Sequence, residues 1–156
     1  MKTSFLQWLS PYTWALTLRR LLYDRGFFRS YDFKVPVICV GNITVGGTGK
    51  TPMTEYLAGR LLESGKNPMV LSRGYGRITR GFRYVALTDT ASDSGDEPLQ
   101  IKRHFPETVV AVCEDRVRGV RRLIEDYPQD PWIILDDAFQ HRQVRAGKNI
   151  LMADHN

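Results

Sequence analysis

Residues 35–52 read VPVICVGNITVGGTGKTP. Val35 to Val40 has the branched side chains and the length of a buried parallel strand, and Pro36 sits at its start, where a missing N–H is tolerated. Gly46, Gly47 and Gly49 follow, then Lys50 and Thr51. The next stretch, TPMTEYLAGRLLESG, places Met53, Tyr56, Leu57 and Leu61 on one helical face and stops at Gly65. Strand, glycine loop, lysine and helix in this order predict a phosphate cradle. Successive glycines let backbone N–H groups approach phosphate oxygens with no Cβ in the way, and the positive end of the new helix faces the same place. Lys50 is expected to reach the β- and γ-phosphates, and the Thr51 hydroxyl to join the shell of a Mg²⁺ ion.

The usual pattern has glycine five residues before Gly49, where this chain has Thr44. We read this as a variant of the loop, the alternative being a flexible glycine loop with no ligand. Such a loop needs an acidic partner at the end of a neighbouring strand to hold magnesium. The segment DPWIILDDAFQHR offers one, because the apolar run Trp132 to Leu135 ends abruptly in Asp136 and Asp137. An Asp-Asp pair alone is a common turn; beside a phosphate loop it reads as the metal side of the site.

The rest of the chain alternates in the same way. NPMVLSRGYG is a strand running into an Arg-Gly loop, SDSGDEPLQIKRHF a loop leading into a helix, and ETVVAVCEDRVRGVRRLIEDY a strand then a helix. Val117, Val120, Leu123 and Ile124 fall on the buried side of that last helix. NILMADHN forms a final strand, read as lying within the sheet. The predicted fold class is α/β, a phosphate-loop NTPase-like parallel sheet with helices on both faces. Asp96, Glu97 and Arg116 fall at strand-to-helix junctions on the same rim. Each carboxylate is either a favourable charge at a helix start or a site residue, and Arg116 either a solvated charge or a phosphate ligand.

With 156 residues, 42% hydrophobic and 25% charged, the chain has the make-up of a globular domain. Cys39 and Cys113 are far apart, in apolar runs, and no Cys/His spacing suggests zinc or a redox pair. The net charge of +5 is concentrated in residues 1–34, which carry six basic and two acidic groups. The remainder is close to neutral, which disfavours nucleic acid as a partner.

Within residues 1–34, Ser10-Pro11 opens a helix in which Trp14, Leu18, Leu21 and Leu22 form an apolar stripe with Arg19 and Arg20 off it. The arginines cut the run short of a membrane span, and no cleavage site follows it. Such a helix either lies in the headgroup layer of an anionic membrane or packs on the domain. The boundary falls between an amphipathic helical arm, residues 1–34, and a phosphate-loop domain, residues 35–156.

In order, GNITVGGTGKTP, LSRGYGR, SGDEP, CEDR and DDAFQHR resemble the tetraacyldisaccharide 4'-kinase family of lipid A biosynthesis, from the arm to the last residue. The resemblance implies transfer of the γ-phosphate of ATP to the 4'-hydroxyl of a tetraacylated glucosamine disaccharide 1-phosphate. It implies a monomer bound peripherally at the cytoplasmic face of the inner membrane, which favours the interfacial reading of the arm. Thr44, Val45, Gly46, Gly47, Thr48, Gly49, Lys50 and Thr51 match the family's ATP loop. Asp96 matches the residue that acts with a histidine in activating the sugar hydroxyl, Arg116 a basic position that steadies the phosphoryl group, and Asp136 and Asp137 the magnesium-side carboxylates.

Members of that family are about twice as long, with the histidine and much of the lipid-binding surface in the second half. The chain is therefore expected to be a fragment, able to bind ATP without completing catalysis. The competing reading is a phosphate-loop ATPase, or an ATP-binding remnant without kinase activity. Positioning ATPases carry a lysine just before the double glycine, where this chain has Val45, and no Asn-Lys-x-Asp guanine motif is present.

Overall fold

The structure, a computed structural model, describes residues 30–42, 49–137 and 143–152. Among the described residues six strands form one sheet: β1 (Val37–Asn42), β2 (Asn67–Ser72), β3 (Arg83–Tyr84), β4 (Val109–Val112), β5 (Pro131–Leu135) and β6 (Lys148–Met152). Their order is β3-β4-β2-β5-β1-β6. Neighbours from β4 to β6 are parallel, so those five strands end at one edge. The sheet is not wholly parallel, however: the two-residue β3 pairs antiparallel with β4. β6 also departs from expectation, since it is the outer strand of the described sheet and not an inner one.

Helices are α1 (Lys50–Glu63), the single turn α2 (Ala91–Ser94), α3 (Asp96–His104) and α4 (Arg116–Asp126). Strand residues alternate between two cores, as the two-residue period requires. Cys39, Met69, Leu71, Ala111, Ile133 and Leu135 face α4, whose Val117, Val120 and Leu123 complete that core; Ile124 is half-buried against it, as its spacing predicts. Val40, Val70, Val110, Val112 and Ile134 face the other way, onto Ala58 of α1 and Leu99 and Ile101 of α3. Helices thus cover both faces. Each fully buried Leu or Ile contributes about 1.5–3 kcal/mol of transfer free energy, so β2 and β5 anchor the domain.

The buried stripe of α1 is rotated from the predicted one. Tyr56 is 62% exposed, while Thr54 and Ala58 are fully buried, flanked by the half-buried Met53, Leu57 and Leu61. Small side chains let the helix lie close over the sheet. The helix stops as expected, with Gly65 at φ 69 and the Lys66 N–H returning to the Leu61 carbonyl. Cys39 and Cys113 are buried and are not joined in a disulfide.

Residues 1–29, which hold the predicted amphipathic helix, lie outside the described residues. The segment after them is tied to the domain: Tyr31 donates its N–H to the Gln143 carbonyl at 2.7 Å and accepts from Arg145 at 2.9 Å, and Phe33 packs on the α4-side core. Among the described residues no helix is long and apolar enough to cross a membrane.

Candidate functional site

The site is assembled where β1 and β5 end. After β1 comes the predicted phosphate loop; Thr44, Val45, Gly46, Gly47 and Thr48 lie outside the described residues, and Gly49, Lys50 and Thr51 within them. Gly49 is the N-cap of α1, with φ 79 and ψ 24 and no side-chain cap bond. That left-handed conformation suits glycine and turns the chain sharply into the helix. The first helical bond runs from the Met53 N–H to the Gly49 carbonyl, 3.1 Å. Pro52 has no N–H to satisfy, so the Lys50 and Thr51 amides are the donors left at a helix start, a ready anion site.

Facing them is the end of β5. Asp136 is fully buried, and its Oδ1 accepts a hydrogen bond of 3.0 Å from the Thr54 hydroxyl. Its Oδ2 is buried and has no hydrogen-bond partner among the described residues. Burial pushes the Asp136 carboxyl up to about 6, helped by the charges of Glu97 and Asp137; the Thr54 bond and Arg116 oppose the rise. Asp137 takes φ 48, a conformation uncommon outside glycine, and its Oδ1 lies 3.6 Å from Lys50 Nζ. With Asp137 more than half exposed, that ion pair adds little stability, and it leaves the lysine free to exchange partners.

Arg116 opens α4 directly behind this pair. It is neither solvated nor facing open solvent: the whole residue is buried, and its guanidinium donates to the Cys113 carbonyl and, at 3.3 Å, to the Asp136 carbonyl. Burial lowers its pKa to about 10, partly offset by the Asp136 charge, so the group stays cationic at neutral pH. The neighbouring Asp115 caps α4 by accepting from the Arg118 N–H at 3.0 Å.

Asp96 is the first residue of α3 and is exposed. Its place is set by Gly95, which has φ 92 and ψ 155, a region essentially restricted to glycine. A Cβ on Gly95 would meet the Tyr75 carbonyl at 2.9 Å and the Gly74 backbone at 3.2 Å, so the start of α3 rests directly on the loop that follows β2. Thr54, which spacing did not single out, belongs beside the site through its bond to Asp136, and Glu97, next to Asp96, is near enough for its charge to act on Asp136.

The donors present suit a hard divalent cation. Asp136 Oδ2 is an anionic oxygen held without a proton donor, and Thr51 lies three residues before Thr54, on the same side of α1 and buried like it. Magnesium takes oxygen ligands and keeps several from water or phosphate, so one or two protein oxygens are enough.

The family model for tetraacyldisaccharide-1-P 4'-kinase matches residues 3–156. Tetraacyldisaccharide 4'-kinases from Bacteroides thetaiotaomicron and Bacteroides fragilis (strain ATCC 25285) are 46% and 49% identical to the chain, each over 96% of it. The one from Cytophaga hutchinsonii is 44% identical over 99%. The chain spans only 40%, 41% and 44% of the length of these three relatives. Among solved structures, LpxK from Aquifex aeolicus in complex with ATP superposes with a TM-score of 0.79 at 40% identity, covering 88% of this chain and 44% of that one. The described sheet and helices therefore share the fold of LpxK, and the chain belongs to the tetraacyldisaccharide-1-P 4'-kinase family.

Proposed function

We propose that the chain carries the nucleotide-binding half of an ATP-dependent kinase that phosphorylates the 4'-hydroxyl of a tetraacylated glucosamine disaccharide 1-phosphate. The observation that carries this is the meeting of Lys50 with the Asp136-Asp137 pair across the free amides of α1, Lys50 Nζ being 3.6 Å from Asp137 and Asp136 Oδ2 unpartnered. Family membership and the ATP-bound relative support it.

Thr44 to Thr51 wrap the triphosphate of ATP, with the Lys50 and Thr51 amides bonding its oxygens. Lys50 leaves Asp137 for the β- and γ-phosphates, where its charge offsets the negative charge that grows as the terminal P–O bond breaks. Thr51, Asp136 and Asp137 would hold Mg²⁺, directly or through water, and the ion would supply charge neutralisation and orientation to the phosphates. Asp96 accepts the proton of the sugar hydroxyl as the new O–P bond forms, late enough that an ordinary carboxylate suffices. Arg116 holds the ends of β4 and β5 together and adds a fixed positive charge behind the phosphoryl group. The helix of the arm, ahead of the domain-packed Tyr31 and Phe33, docks the enzyme on the anionic cytoplasmic face of the inner membrane, where the acylated acceptor resides, and the protein acts as a monomer.

The test is transfer of labelled γ-phosphate to the acylated disaccharide by the intact protein. Lys50→Ala is expected to cut turnover by about a hundredfold or more without unfolding the domain. Turnover equal to the unmodified protein removes the assignment. ATP hydrolysis with no transfer to the sugar favours the ATPase reading instead.

A further inference from the structure

We propose that Thr54, on the second turn of α1, is a positioning residue for the metal-side carboxylate. Its hydroxyl donates to Asp136 Oδ1 and so reserves Oδ2 for the cation. This rests on the functional reading above and adds a residue that neither the glycine loop nor the paired aspartates include.

Three observations converge. The hydrogen bond is 3.0 Å, between side chains 82 positions apart in the chain, and both residues are completely buried. The second oxygen of the same carboxylate is buried without a partner among the described residues. A carboxylate with one oxygen satisfied and the other bare is costly for a structural role alone, because each unpaired buried polar atom costs about 1–3 kcal/mol. The cost is recovered once an electron-pair acceptor approaches Oδ2. The bond also links the two walls of the site, since Thr54 follows the phosphate loop on α1 while Asp136 follows β5. Turning the carboxylate about its Cβ–Cγ bond would exchange its oxygens, and the Thr54 donor, held on a helix, selects one arrangement. Partners of this kind, which hold a metal-ligating carboxylate, typically affect metal affinity by 10- to 100-fold.

Thr54→Val keeps the shape and removes the donor. Thr54→Ser keeps the hydroxyl, and Thr54→Cys offers a weak donor of similar size. The measurement is titration calorimetry of ATP binding to the intact protein, in EDTA and across a magnesium series, with unfolding curves for each variant. Thr54→Val is expected to lose roughly tenfold or more in the magnesium enhancement of ATP binding, with binding in EDTA unchanged. Thr54→Ser should behave like the unmodified protein and Thr54→Cys fall between. If Thr54→Val does not fold, the Ser and Cys variants carry the comparison. An unchanged magnesium response in Thr54→Val, or an equal loss in Thr54→Ser, overturns the proposal and leaves the bond a matter of stability. Failure of the unmodified protein to bind magnesium-ATP would instead sink the functional reading.

Discussion

Arg116 is joined to Asp136 through the main chain: its guanidinium donates to the Asp136 carbonyl at 3.3 Å, while the Asp136 carboxylate takes its hydrogen bond from Thr54. The arginine braces the strand ends and leaves the carboxylate available. Replacing it with methionine keeps apolar volume but leaves the Cys113 and Asp136 carbonyls without their donor and takes the arginine's charge away from Asp136. Arg116→Met is therefore expected to lower unfolding free energy by about 2–4 kcal/mol in urea titrations. Arg116→Lys should recover only part of this, because an ammonium cannot span both carbonyls as the planar fork does. Stability within 0.5 kcal/mol of the parent, roughly the spread of neutral surface changes, would show that the brace is dispensable.

Gly95 sets the position of Asp96. In Gly95→Ala the new methyl meets two stretches of backbone in a conformation that alanine avoids, which costs about 1–3 kcal/mol or shifts the start of α3. Gly76→Ala is the control: φ is again positive at 78°, yet no atom lies within 4 Å of the added carbon. Thermal unfolding should show the larger loss for Gly95→Ala, and phosphoryl transfer should fall for that variant alone. Equal effects of the two changes would mean that the contact with the Tyr75 loop does not position Asp96.

Glu114 should add to the acid sensitivity of the fold. Burial by itself would raise its pKa; hydrogen bonds from its own N–H, the Gly81 N–H and the Arg77 guanidinium outweigh burial and hold it below 4.5. A folded-state value below the unfolded one means stability that is complete above about pH 4.5 and is lost as pH falls through the lower folded value. Glu114→Gln should therefore be less stable than the parent at neutral pH, and the gap should close in acid. A gap that stays constant from pH 7 to pH 3 would contradict this.

The arm can be tested by removal. Deleting residues 1–24 from the intact protein takes away Trp14, Leu18, Leu21 and Leu22 together with Arg19 and Arg20. Co-sedimentation with vesicles of anionic lipid should drop to the level seen with neutral lipid. Undiminished binding would make the arm a packing element.

Much of this was legible before any coordinates. The strand before the glycine loop, the helix after it, the continuous apolar run of β5 and the buried stripe of α4 follow from patterning, and Asp136 and Asp137 stand where a strand abruptly stops being apolar. β3 was not legible, because two residues carry no period. The stripe of α1 was misjudged at Tyr56 because hydrophobicity was weighed over size: a helix lying close to a sheet buries Thr54 and Ala58 and turns the larger ring outward. Thr54 was invisible for the same reason, since a threonine within a helix gives no hint of a partner 82 positions away. Arg116 could be placed after a strand, but whether its side chain points to solvent or to carbonyls is decided by tertiary packing.

The most direct measurement is a crystal structure of the intact protein with a non-hydrolysable ATP analogue and magnesium. The account predicts the triphosphate seated on the Lys50 and Thr51 amides, Lys50 Nζ moved from Asp137 to the terminal phosphates, and Asp136 Oδ2 directed at the ion or its bound water. A nucleotide bound elsewhere, or Lys50 still paired with Asp137 beside a bound nucleotide, would contradict it.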